Sequence, residues 1–231
     1  MAAADVVLGA GGTMTREAAL LGIPILAGRD FTESDRAGRP DAPRRRLVRG
    51  RRDVTRRKSS YRSLLSLQRD NRVCRACEEA GYPLESWPVF EGRPGQRAMI
   101  VGQSPGVVEG EDRRPWRGRA GRTLRVWLRM DEDEFYETFY CVSMTRCYPG
   151  KHPSGRGDRS PTPREIELCR FWLDWDLRLL RPAVVVPVGG LAIRHLLGLP
   201  RLDECIGSAY PFGEAIAVPL PRTVPVSASR T

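Results

Sequence analysis

The sequence predicts an α/β protein, a three-layer αβα sandwich around a mainly parallel central sheet. Three observations lead there. Ala183 to Val188 is a near-continuous β-branched run, the composition of a strand buried on both faces. Ala98-Met99-Ile100-Val101 is a second short apolar run, followed by a glycine-bearing loop and a segment with apolar residues at Leu124, Val126, Trp127 and Leu128. Thr162-Pro163-Arg164-Glu165 opens a helix with a Thr cap, Pro at the first position and Glu three residues after the cap. Strands alternating with helices bury both faces of a parallel sheet.

The chain has 231 residues and a net charge of +10. Most of that charge is local: residues 36–58 hold ten Arg and one Lys against two Asp. Such a run binds phosphates without reading sequence, or is a solvated linker. No stretch of about eighteen apolar residues is present, which excludes a membrane-spanning helix. No basic start precedes an apolar core, so the expected location is cytoplasmic.

Residues 1–28 read as a strand, a loop Gly9-Ala10-Gly11-Gly12, a helix carrying Glu17 and a second strand. This pattern resembles a fragment of the nucleotide-sugar-binding region of glycosyltransferase-B-like and epimerase-like proteins. About thirty residues cannot bury a core of their own, so the segment is expected to be a remnant rather than a domain. Residues 29–60 form the basic linker, broken by Gly38, Pro40, Pro43 and Gly50. The functional domain is expected to span 61–231.

Within it, Leu64, Leu65 and Leu67 belong to an amphipathic helix that runs towards Cys74-Arg75-Ala76-Cys77. A C-x2-C pair serves metals, clusters and redox couples alike. Phe139 to Met144 is rich in strand formers and ends near Cys147; Cys169 falls on the helix that begins at Pro163. Cys141 and Cys205 read as ordinary buried thiols. His195 reads as a structural His among Ile193, Leu196 and Leu197, and His152 as a loop residue.

The loop Gly102-Gln103-Ser104-Pro105-Gly106 and the segment Pro115-Trp116-Arg117-Gly118-Arg119-Ala120-Gly121 together resemble motif A of the uracil-DNA glycosylase superfamily. The pattern is most similar to that of the iron-sulfur group called family 4, over about residues 63–221. The resemblance implies a [4Fe–4S] cluster held by Cys74, Cys77, Cys147 and Cys169, with zinc as the runner-up. It implies removal of a flipped, deaminated base from uracil-containing DNA by hydrolysis of the N-glycosidic bond. Trp116 stands where the family stacks an aromatic on uracil. Gly102, Gln103, Ser104, Pro105, Gly106 and Ser143 would hold the base. Gln103 occupies the position of a family Glu and has no titratable group; Glu109 is assigned the acidic role beside it. Arg117, Arg119, Arg146, Lys151 and Arg222 would meet DNA.

Ile216 to Leu220 reads as the last strand. After Pro219-Leu220-Pro221 the family continues with a His-Pro-Ser-Gly motif and a closing helix; here Arg222 follows and the chain stops at Thr231. The expected architecture is therefore C-terminally truncated. The expected activity is that of a monomeric base-excision glycosylase. The alternative is a non-catalytic iron-sulfur DNA-binding protein of the same fold, favoured by the missing His and the missing carboxylate at position 103.

Overall fold

The computed structural model describes residues 57–155, 157–199 and 202–223. The glycine-loop fragment at 1–28, the basic run up to 56 and the stretch from 224 lie outside the described residues.

The described part begins with α1 (Leu64–Arg72) and α2 (Ala76–Glu79), then enters the sheet at β1 (Ala98–Gly102). Three helices follow, α3 (Val107–Asp112), α4 (Arg119–Leu128) and α5 (Glu132–Thr138), and lead to β2 (Phe139–Ser143). The long α6 (Pro163–Leu180) leads to β3 (Val184–Pro187), then α7 (Gly190–Leu197), α8 (Leu202–Cys205), β4 (Tyr210–Phe212) and β5 (Ala215–Ala217). The sheet order is β2-β1-β3-β5-β4, parallel except for β4 against β5. The expected sandwich with a mainly parallel sheet is the observed one.

Alternation along the strands feeds two cores. Met99 and Val101 of β1, Tyr140 and Val142 of β2 and Val185 of β3 join Leu67 of α1 and Trp172 and Leu173 of α6. Ala98, Ile100, Cys141 and Val186 point the other way, onto Leu124 and Leu128 of α4 and Phe135 of α5. All five residues of β1 and of β2 are buried, as the side-chain period of two requires in a sheet covered on both faces.

The helix ends carry their own signals. Thr162 caps α6 by accepting from the Glu165 N–H, and Glu165 accepts from the Thr162 N–H at 2.6 Å. Asp131 and Glu134 do the same for α5, the Asp-x-x-Glu form of the same capping box. Arg57 and Lys58, at the start of the described residues, are packed against the domain. The Arg57 guanidinium donates to Leu168 O at 2.9 Å and lies over the Phe171 and Trp172 rings; Lys58 pairs with Asp70 at 3.0 Å.

Both sheet edges are modified. On the outer edge of β2, Glu91 and Cys141 exchange backbone hydrogen bonds at 3.1 and 2.7 Å, one isolated bridge. On the other edge, Pro211 sits in the middle of β4. Among the described residues, no helix is long and apolar enough to cross a membrane.

Candidate active site and four-cysteine cavity

Strand β1 lies between β2 and β3, so the chain leaves its carboxyl end in one direction and returns on the other side. In open parallel sheets that reversal makes a crevice beyond the strand ends. A cleft of about 480 Å³ opens there, within the usual size of small-molecule sites. Gly102 to Gly106 after β1, Ser143 at the end of β2 and Val188 to Gly190 after β3 line it. Gly102 and Ser143 are register partners, which sets the start of the first loop beside the Ser143 hydroxyl.

Trp116 forms one wall. Its φ of 61° is left-handed backbone, unusual for a bulky side chain and typical of strain held at functional sites. Three contacts hold it there. The Tyr136 hydroxyl donates to Pro115 O, and the Arg125 guanidinium donates to Trp116 O at 3.0 Å. Gly121 leaves room for that same carbonyl, since a Cβ there would lie 1.7 Å from it. The ring then covers Gly102, where a Cβ would meet Trp116 Cζ2 at 3.0 Å. Trp116 thus belongs to the core beneath α4 and to the cleft at once. Its indole Nε1 is buried without a hydrogen-bond partner.

Glu109 lies in the cleft wall with both carboxylate oxygens engaged. It accepts from Gly106 N at 3.0 Å and from Gly118 N at 2.8 Å. It therefore braces the 102–106 loop against the 115–121 segment, and the glycines at 106 and 118 leave space for it. Gln103 is half-buried; its amide donates to Ser160 Oγ at 3.2 Å. Ser104 and Pro105 complete the loop lining.

The cations assigned to DNA separate into three groups. Arg119 and Arg222 are exposed and line the cleft, on opposite sides of the sheet order, and Lys151 is exposed on the loop after β2. Arg222 lies beside Gly189, so the residue following Pro-Leu-Pro does reach the site. Arg117 is tied to Asp112 at 3.3 Å and to Glu132, within a network that includes Arg114 and Glu91. Arg146 is not a surface cation. It is 1 % exposed, paired with the equally buried Asp176, whose other oxygen accepts from Tyr140 at 2.6 Å. Its sequence neighbours gave no sign of this, because Asp176 lies on α6, 30 residues away. His195 is exposed on α7 rather than enclosed, and His152 lies on the exposed loop with Nδ1 2.8 Å from Ser154 Oγ.

A second, enclosed cavity lies behind β2. Cys74, Cys77, Cys147 and Cys169 all line it, delivered by the turn into α2, the loop after β2 and α6. Trp172 Nε1 donates to Cys74 Sγ at 3.3 Å and Arg146 N to Cys169 Sγ at 3.2 Å. Burial pushes the Cys77 thiol up to about 12, with Cys169 and Cys74 adding to the shift. Burial, then Cys169 and Cys77, raises Cys147 as well. Cys77, Cys147 and Cys169, each raised by burial, do not ionise together unless a cation joins them. Arg57 Nε, Arg146 Nε, Asn71 Oδ1, Ser86 Oγ and Thr145 Oγ1 are buried with no hydrogen-bond partner, and all five residues line this cavity. Among the described residues, no three Cys, His, Asp or Glu side chains are grouped so as to hold a metal ion. Cys141 and Cys205 are buried elsewhere.

Comparison with known proteins locates this arrangement. Residues 1–31 match a family of unknown function, DUF354, whose description assigns them no activity. A Type-4 uracil-DNA glycosylase of Thermotoga maritima is 32% identical over 105 residues, 46% of this chain and 51% of that protein. One from Sulfurisphaera tokodaii is 25% identical over 138 residues, 58% of each chain. A Type-5 uracil-DNA glycosylase of Thermus thermophilus is 28% identical over 192 residues, 76% of this chain and 74% of that protein. The chain thus spans between half and three fifths of the first two relatives. The family described as the uracil DNA glycosylase superfamily matches residues 89–231, most of the chain and every element from β1 onward, and the chain belongs to that superfamily.

Proposed function

We propose that this protein excises uracil from DNA by hydrolysing the N-glycosidic bond, acting as a monomer in a reducing compartment such as the cytoplasm. The observation that carries the reading is the cleft itself. An aromatic wall, Trp116, stands over a glycine floor, Gly102, beside a polar edge supplied by Ser143 and the 102–106 loop. A base removed from its stack needs a π-face to replace the lost stacking and polar groups for its pairing edge. Trp116 offers the face. Ser143 Oγ and the backbone of the loop offer hydrogen bonds to the polar edge. Glu109 holds the two arms of the pocket in register, and Arg119 and Arg222 at the rim face the flanking phosphates. The names of the similar proteins, uracil-DNA glycosylases of Type-4 and Type-5, support the substrate.

The four cysteines fit a [4Fe–4S] cluster. The donor set is all cysteine sulfur, and the unpartnered Arg, Ser and Thr donors of the cavity suit the sulfurs of an anionic cluster. The cluster would supply a covalent cross-link between α2, the loop after β2 and α6.

The test is alkaline cleavage of a labelled single-stranded oligonucleotide bearing one uracil. Cleavage that falls at least a hundredfold in Trp116→Ala supports the reading. A second reading, a DNA-binding protein without catalysis, draws on the amide at Gln103 and the engaged carboxylate at Glu109. Tight binding of the uracil oligonucleotide with no base release would favour it.

A further inference from the structure

Hydrolysis at C1′ needs a group that accepts a proton from the attacking water, and the residues assigned from sequence do not supply one. Gln103 has no titratable group, and its amide is held by Ser160. Both oxygens of Glu109 accept backbone N–H bonds and face the loop arms they brace. Asp112 is paired with Arg117, and Glu111 lies outside the cleft.

Besides Glu109, one carboxylate lines the cleft among the described residues: Asp158. It comes from the loop between β2 and α6. That loop folds back on itself, with a bridge between Lys151 and Asp158 and a bond from Arg159 N to Gly150 O at 2.8 Å. Arg159 then anchors it by two bonds, 2.9 and 2.8 Å, to Glu165 in the first turn of α6. The loop closes over the first site loop through Gln103 and Ser160, and through Asp158 itself. Asp158 Oδ2 lies 3.2 Å from the point a Cβ on Gly106 would occupy. Its other oxygen, Oδ1, accepts from Tyr148 at 2.9 Å. Among the described residues no donor reaches Oδ2.

We propose that Asp158 is the catalytic base of this protein, with Tyr148 as its positioning residue. The inference rests on the glycosylase reading above. In the step, the water oxygen forms a bond to C1′ as the C1′–N1 bond breaks. The bonding pair leaves on uracil N1, and the water proton passes to Asp158 Oδ2. The proton is later returned to uracil or to solvent, so one water is consumed for each abasic site and free base formed. The Tyr148 hydroxyl donates to Oδ1 and leaves Oδ2 on the side of Gly106 and the cleft.

The experiment compares native protein with Asp158→Asn, Asp158→Ala and Tyr148→Phe in single-turnover release of uracil from a single-stranded oligonucleotide, across pH. Affinity is read separately with an oligonucleotide carrying 2′-fluoro-2′-deoxyuridine, which resists cleavage. General-base catalysis contributes on the order of a hundredfold to ten-thousandfold. Asp158→Asn is expected to lose at least a hundredfold in rate, to abolish the acid limb of the pH profile and to hold Kd within threefold. Tyr148→Phe is expected to lose less rate and to shift the acid limb. An active native protein whose Asp158→Asn and Asp158→Ala variants keep their rate, or keep the acid limb, overturns the assignment alone. A native protein that releases no uracil overturns the glycosylase reading and the assignment together.

Discussion

Removing the Asp176 carboxylate isolates the charge of Arg146. Both side chains are 1 % exposed, and Asp176 accepts from the Arg146 guanidinium and from Tyr140. Asp176→Ala leaves the guanidinium with Ser143 O at 3.4 Å as its remaining hydrogen-bond acceptor. Breaking a buried pair from one side costs about 3–5 kcal/mol, because the surviving charge stays desolvated. For a domain of this size each kcal/mol moves Tm by roughly 2–4 °C, so the variant should melt about 6–20 °C lower. Tyr140→Phe removes one hydrogen bond to the same carboxylate and should cost about 1.5–3 kcal/mol. The double change Arg146→Met with Asp176→Leu removes both charges and should recover most of the loss. The assay is differential scanning calorimetry of the protein as purified, at neutral pH. An Asp176→Ala variant melting within about 2 °C of native would refute the burial argument. So would an Arg146→Met variant that is fully stable but loses DNA affinity, since that is the behaviour of a surface phosphate contact.

The remaining predictions concern the cleft, the cavity and pH. Gly121→Ala places a methyl group on the Trp116 carbonyl and should abolish uracil release with little change in affinity for undamaged DNA, measured by anisotropy. Changing Arg119 and Arg222 together to Gln should weaken DNA binding about equally for all sequences and lower the slope of log K against log salt by about two. Cys147→Ser should lose iron and visible absorbance as purified, read by metal analysis. Burial pushes the Glu165 carboxyl up, but Arg159 and the Thr162 N–H outweigh it and hold it below the usual range. Its stabilisation is therefore complete above the unfolded value near 4.3 and is lost as pH falls through the lower folded value, so Glu165→Gln should flatten the acid side of the stability curve, followed by urea titration.

What the sequence made legible is what is encoded locally. The β-branched run of β3, the Thr-Pro-x-Glu start of α6 and the apolar run of β1 each stand alone as signals, and each element lies where they point. The motif-A loop and its Trp are close in sequence because one strand–loop–helix unit carries them. The four cysteines could be paired off only by resemblance, since the helix α6 that delivers Cys169 is brought back to Cys74 by the fold. The misread residues depend on long-range partners. Arg146 looks like any loop-flanking cation until Asp176 is folded beneath it. Glu109 reads as a free carboxylate until the backbone N–H groups of Gly106 and Gly118 close on it. Asp158 carries no local mark at all, because its place in the cleft follows from Arg159 docking on the α6 cap. The short α5 carries a local signal of its own, the Asp131 and Glu134 capping pair.

The modified sheet edges have a consequence for behaviour at high concentration. An open row of unpaired N–H and C=O groups templates the addition of a foreign strand. On the β2 side, the bridge between Glu91 and Cys141 already occupies the middle of that row, and the Glu91 carboxylate is locked to Arg114 at 2.7 Å. On the β4 side the edge is three residues long, and the central one, Pro211, has no N–H to offer. An incoming strand meets a filled position at one end of the sheet and a missing donor at the other. Both flanks are thereby closed to edge-to-edge polymerisation, and the carboxyl ends of the strands are left as the face the sheet presents to a long, charged polymer.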